Sequence, residues 1–164
     1  MKMKNNWTYR LHGAEFKIMR LQEQHPPEYA GDSPDKIEAY LREKIPHSLR
    51  YNPDTENLGV IHLSTRRKII GWEIISNGTL DTLLIHCREF FKSGIITNAA
   101  ALVAFHNHPS GDSSPSEADI KVTRDLIRAG QLLKIELLDH LILGTSAPDR
   151  PKSWSSLREL GFFY

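Results

Sequence analysis

The chain has 164 residues, 40% of them hydrophobic, which is enough for one domain with its own core. A net charge of +1 provides no global field to draw in nucleic acid. The single cysteine, Cys87, excludes an intrachain disulfide and a cysteine-type zinc cluster, and no apolar run approaches the roughly 18 residues of a membrane span, so the composition reads as a soluble cytoplasmic protein.

Residues 1–32 are weakly patterned and read as an N-terminal extension with one short strand near Phe16–Leu21. The first twenty are locally basic, with Lys2, Lys4, Arg10, Lys17 and Arg20 against Glu15, and the extension ends in the breaker-rich His25-Pro26-Pro27-Glu28-Tyr29-Ala30-Gly31-Asp32. Ser33-Pro34-Asp35 starts a helix: a serine cap, proline at the first helical position and an acid in the first turn. Ile37, Tyr40, Leu41 and Ile45 recur at helical spacing until Pro46. Leu58–Leu63 and Ile69–Ile75 form a strand pair around a polar turn, and Asn77-Gly78 marks another turn. A helix near Arg88–Thr97 precedes the apolar run Ala99–Phe105, a buried strand. Ser114-Pro115-Ser116-Glu117 fits a capping box, followed by the stripe Ala118, Val122, Leu126 and Ala129, with Gly130 as the stop. A strand over Ile135–Leu143 comes next, and the aromatic tail Trp154–Tyr164 packs on the core.

The chemistry concentrates where the buried strand meets the following helix. His106 and His108 are two residues apart, so both turn to one face of an extended chain. Asp119 lies early in the helix and offers a third ligand. Two imidazoles and a carboxylate are the ligand set of a catalytic zinc, which keeps a fourth position open. A hydrolytic site also needs a base to accept a proton and pass it to a leaving amine. Glu56, at the head of the first strand of the pair, and Glu73, inside the second, both qualify by pattern. Ser116 is either a helix-start residue or a donor to the oxyanion of a tetrahedral intermediate. His12, His25, His47, His62 and His86 read as structural or surface residues, Asp139 and His140 as a buried pair satisfying each other, and Cys87 as an inert small apolar residue.

His106-x-His108, seven residues, then Ser116-x-x-Asp119 resembles the JAMM motif of the JAB/MPN metallopeptidases. The longer string His106-Asn107-His108-Pro109-Ser110-Gly111, with Pro115-Ser116 and Asp119, is similar to the RadC branch of that family. The likeness continues through Gly78-Thr79-Leu80, Arg88-Glu89, Asn98-Ala99-Ala100, Leu138-Asp139-His140 and Ser156-Leu157-Arg158-Glu159, from about Ser33 to Gly161.

The resemblance implies a single α/β domain over residues 33–164, a mixed sheet flanked by helices and related to cytidine deaminases. It also implies one zinc per chain on His106, His108 and Asp119, with Ser116 at the oxyanion. The family places its catalytic acid seven residues before the leucine closing the first strand; with Leu63 as that leucine, the acid is Glu56. The implied reaction is hydrolysis of a peptide or isopeptide bond in a protein or peptide substrate, a ubiquitin-like conjugate among the options. Two other readings are a zinc-holding module that recruits a partner without turnover, and a DNA-repair-associated protein of RadC type. Against the second, residues 1–32 do not supply the helix-hairpin-helix element that full-length RadC proteins carry. The chain departs from the family pattern at Ser64, usually aspartate, and at Cys87, commonly proline. The literal string His-Asn-His is not an HNH nuclease motif, whose three residues are dispersed over a ββα unit.

Overall fold

A computed structural model describes residues 29–78 and 86–164 in full and the backbone of 6–11 and 14–19. The strands are β1 (Asn6–Leu11), β2 (Ala14–Met19), β3 (Asn57–Leu63), β4 (Ile69–Asn77), β5 (Ala101–Asn107), β6 (Glu136–Leu143) and β7 (Trp154–Ser156). The helices are α1 (Pro34–Lys44), α2 (Cys87–Ile96) and α3 (Glu117–Leu133). β4, β3, β5, β6 and β7 form one sheet in that order. β5 and β6 are parallel and every other neighbouring pair is antiparallel. Since a parallel pair needs a crossover, α3 makes it, and the His106–Asp119 segment lies on the connection.

Alternation along β5 divides the core. Ala101, Val103 and Phe105 join Ile37, Tyr40, Leu41 and Ile45 of the α1 region on one face. Leu102 and Ala104 join Phe90 and Phe91 of α2 and Leu126 of α3 on the other. Burying each large side chain contributes about 1.5–3 kcal/mol. His106 continues the even-numbered row and therefore faces α3.

Most elements lie where the sequence places them. Ser33 caps α1 with Pro34 in its first turn, and the backbone tightens into a 3-10 turn over Ile45–His47 at Pro46. Three expectations change. The extension holds two strands, β1 and β2, paired antiparallel with each other; residues 20 and 21 of the expected single strand lie outside the described residues. α3 starts two residues later than the box at Ser114 suggests: Ser116 is the cap and Asp119, not Glu117, completes a capping box. Gly130 does not stop α3, which runs to Leu133 and ends on Lys134 at φ 57°. Gly130 is needed for a different reason: a Cβ there would stand 2.5 Å from the Ile135 carbonyl oxygen. The buried face is Asp119, Ile120, Thr123, Leu126 and Gly130; of the expected stripe Leu126 is buried, Val122 and Ala129 are partly buried and Ala118 is exposed. The tail packs as expected at Trp154 and Leu157, while Leu160 and Tyr164 are exposed. No helix among the described residues is long and apolar enough to cross a membrane.

A candidate metal centre

His106 ends the buried part of β5, and His108 stands just beyond the strand, its amide donating to the Leu143 carbonyl at 2.9 Å. The loop from Pro109 to Pro115 then turns back to α3. Gly111 makes that turn at φ +80°, where any side chain would collide with Thr145, whose Oγ1 lies 2.3 Å from the Cβ position. Arg150 ties the loop down by donating to the Gly111 carbonyl at 2.9 Å, beside Asp112 at 3.3 Å. The loop carbonyl of Asp112 accepts from His108 Nδ1 at 2.6 Å. A carbonyl only accepts, so that ring carries its proton on Nδ1 and turns an Nε2 lone pair inward.

Three ligand atoms converge. His106 Nε2 is 2.9 Å from His108 Nε2 and 3.2 Å from Asp119 Oδ1, and His108 Nε2 is 3.6 Å from Asp119 Oδ2. His106 and Asp119 are buried and His108 is partly open. Asp119 Oδ1 is buried yet receives no hydrogen bond, an uncompensated position for a carboxylate oxygen. Burial alone would raise the Asp119 carboxyl, but the two imidazoles and the Ser116 hydroxyl outweigh it and hold it far below the usual carboxylate range. The same carboxylate holds His108 above the ordinary histidine value against burial, with smaller support from the Asp112 carbonyl and the Glu56 charge.

These residues fit a divalent cation. Donors bound at 2.0–2.1 Å around a tetrahedral ion stand about 3.3 Å apart. The observed separations of 2.9, 3.2 and 3.6 Å bracket that spacing, and the orphaned Oδ1 would gain its missing partner. His106, His108 and Asp119 are also the set of metal-ligand type found together among the described residues.

The neighbouring residues divide by position. Glu56, half-buried, directly precedes β3, and its charge acts on His108. Glu73 lies in β4, where its charge acts on His62, a structural histidine bonded to Ser93 Oγ at 2.8 Å. Ser116 Oγ donates to Asp119 Oδ2 at 2.6 Å and accepts from the Asp119 amide at 3.2 Å. Its hydroxyl is thus a helix cap, held at an exposed position against the Asp119 carboxylate. Cys87 opens α2, its thiol 3.8 Å from the Asp125 carbonyl.

Two residues gain tasks that the sequence does not assign them. Asn107 faces away from its histidine neighbours and grips the segment carrying Glu56. Its Oδ1 accepts from the Asn57 amide at 2.9 Å and its Nδ2 donates to the Thr55 carbonyl at 3.0 Å, on either side of Glu56. His140 is not satisfied by the side chain of Asp139. Asp139 instead accepts from the His140 amide, the Ser156 hydroxyl and the Arg158 amide. The His140 ring reaches His106 Nδ1 at 2.8 Å and Thr123 Oγ1 at 2.7 Å.

Residues 31–162 match the RadC-like JAB domain family. The chain is similar to a UPF0758 protein of Chlorobium chlorochromatii, 43% identical over 122 residues that cover 74% of this chain and 50% of the relative. It is also similar to a UPF0758 protein of Moorella thermoacetica, 50% identical over 91 residues, 56% of this chain and 40% of the relative. A third, from Chlorobaculum tepidum, is 44% identical over 120 residues, 73% of this chain and 49% of the relative. The chain thus spans about half the length of the curated relatives it matches.

Proposed function

The chain belongs to the RadC-like JAB domain family, and from that premise we propose that it is a zinc-dependent hydrolase of peptide or isopeptide bonds. The observation that carries this is the convergence of two imidazole nitrogens on a buried carboxylate oxygen that receives no hydrogen bond. His106, His108 and Asp119 would hold the ion. Zinc, when bound, polarises a substrate carbonyl and makes water a stronger acid near neutral pH.

The remaining work falls to side chains. Glu56 takes a proton from the attacking water as its oxygen adds to the amide carbon, then delivers that proton to the leaving nitrogen as the C–N bond breaks. Its place beside His108, and the Asn107 bonds on both sides of it, support this assignment over Glu73. Ser116, at the exposed start of α3, would turn its one hydroxyl proton from Asp119 Oδ2 to the developing oxyanion. An amide in an exposed, extended protein segment is the substrate class we propose, since His108 opens the site on one side and Ser116 is exposed.

The test compares cells carrying wild-type, Glu56→Gln and Glu73→Gln proteins by proteome-wide detection of new N-termini and freed lysines. Wild type and Glu73→Gln should generate the same cleavage products and Glu56→Gln none, while all three purified proteins retain about one zinc. Equal products from the Glu56→Gln protein, or loss of products only in Glu73→Gln, would reverse the assignment. No difference between cells with and without the wild-type protein would remove the hydrolase reading.

A further inference from the structure

His140 is fully buried in β6 and belongs to no step above. Its surroundings fix where protons sit, beginning from the one group that can only accept. The Asp119 main-chain carbonyl lies 2.6 Å from Thr123 Oγ1, so the single hydroxyl proton of Thr123 is directed there. Thr123 Oγ1 must then accept across its 2.7 Å contact with His140 Nδ1, which places the His140 proton on Nδ1. A buried neutral imidazole with a proton on Nδ1 has a lone pair on Nε2. That lone pair is 2.8 Å from His106 Nδ1, which must donate to it. His106 is left with its Nε2 lone pair facing His108 Nε2 and Asp119 Oδ1.

We infer that Thr123 and His140 are positioning residues, a buried relay that locks His106 in the one tautomer able to bind a metal ion through Nε2. The inference rests on the metal site proposed above. Its logic is that of a ligand histidine oriented by an acceptor on its other nitrogen, with a neutral histidine in the place a carboxylate or carbonyl commonly takes. Reversal is the specific failure it prevents. Were Thr123 to donate to His140, each ring would turn over its proton, and His106 would present N–H where a ligand lone pair is required. The relay begins and ends in ligand residues: Thr123 lies one turn after Asp119 on α3, and its hydroxyl closes on that residue's own carbonyl. Strand β6 therefore couples the histidine ligand on β5 to the acidic ligand on α3.

Zinc affinity of the full chain, measured by competition with a chromophoric chelator, tests this without a substrate. Thr123→Val keeps the shape and removes the hydroxyl, and should weaken zinc binding about 10- to 100-fold. Thr123→Ser should restore it. A purely structural hydroxyl would instead move the melting temperature of the metal-free proteins and leave affinity unchanged in both, which would overturn the relay. Long-range ¹H–¹⁵N correlation spectra of the metal-free wild-type protein, at a pH where both rings are neutral, need no variant. Protons on Nδ1 of both His106 and His140 are expected, and a proton on Nε2 of either ring defeats the inference. A wild-type chain that takes up no zinc defeats the hydrolase reading itself, and the tautomers then decide the relay alone.

Discussion

Two buried histidines on neighbouring strands, His62 of β3 and His106 of β5, look toward the same side of the sheet and do different work. They are 3% and 0% exposed. His62 pairs with Leu102 in the register, four residues before His106, or about 13 Å along the strand. His62 bonds one hydroxyl, Ser93 Oγ, and its Nδ1 has no partner. His106 is engaged at both nitrogens, and its Nε2 meets other ligand-type atoms. Burial alone therefore does not mark a site. What distinguishes the second histidine is the convergence of lone pairs around a position that no proton fills.

Removing each ring in turn gives the largest expected contrast. His106→Ala and His108→Ala should reduce zinc from near one per chain to near none, because a catalytic zinc has only three protein ligands to lose. His62→Ala should keep its zinc while losing about 1–3 kcal/mol of stability, since Ser93 is left facing a buried gap. Metal analysis and thermal melting of the three proteins check this. Zinc retained by the His106 variant, or lost from the His62 variant, would break the distinction. The fold itself should persist without metal, because the core on both faces of the sheet is formed by apolar side chains.

That contrast also explains what the sequence could and could not disclose. His106 and His108 were legible because period two on a strand is a local rule, and Asp119 because a helix start lay just before it. Pattern alone leaves Glu56 and Glu73 open, since the β3–β5 register that brings the head of β3 beside His106 is not a local rule. Asn107 was hidden inside the His-Asn-His string for the same reason: its partners are about fifty residues away in sequence. The expected pairing of the Asp139 and His140 side chains does not form, and the sequence itself carries the reason. Neighbouring strand residues point to opposite faces, so Asp139 and His140 could not satisfy each other ring to carboxylate. The start of α3 is ambiguous in the sequence because Ser114 and Ser116 both suit a cap, and only the Asp119 carboxylate accepting from the Ser116 amide at 2.7 Å decides it.

A second prediction separates two roles within the metal region. Ser116→Ala removes both the cap and the hydroxyl on Asp119 Oδ2. As a cap alone, the serine is worth about 1 kcal/mol, and turnover per folded molecule would hold. As the oxyanion donor, its loss should also lower kcat about 10²-fold. We expect both effects, measured by thermal melting and by turnover of whichever cleavage product the proteome comparison yields. An unchanged kcat would confine Ser116 to the helix start and leave the proposed ligands His106, His108 and Asp119 untouched.

The smallest expected effect sharpens the contrast from the side of His62. Burial lowers the pKa of this ring, and the Glu73 charge offsets only part of that. With the folded-state pKa below that of the unfolded chain, near 6.5, folding stability is complete above about pH 6.5 and is lost as the pH falls through the folded value. The unfolded chain binds a proton there that the folded protein resists. His62→Gln should therefore flatten the stability–pH slope below pH 6.5 by up to one proton, about 1.4 kcal/mol per pH unit. Glu73→Gln should steepen the fall slightly, because it removes the charge that favours the protonated ring. Denaturant unfolding of the metal-free proteins between pH 5 and 8 measures both slopes. His140 is also held well below its ordinary value by burial and by His106, so subtracting the His62→Gln curve from wild type isolates the His62 share. If the two curves coincide, the acid sensitivity belongs wholly to the metal region, and His62 is a packed ring whose protonation folding does not oppose.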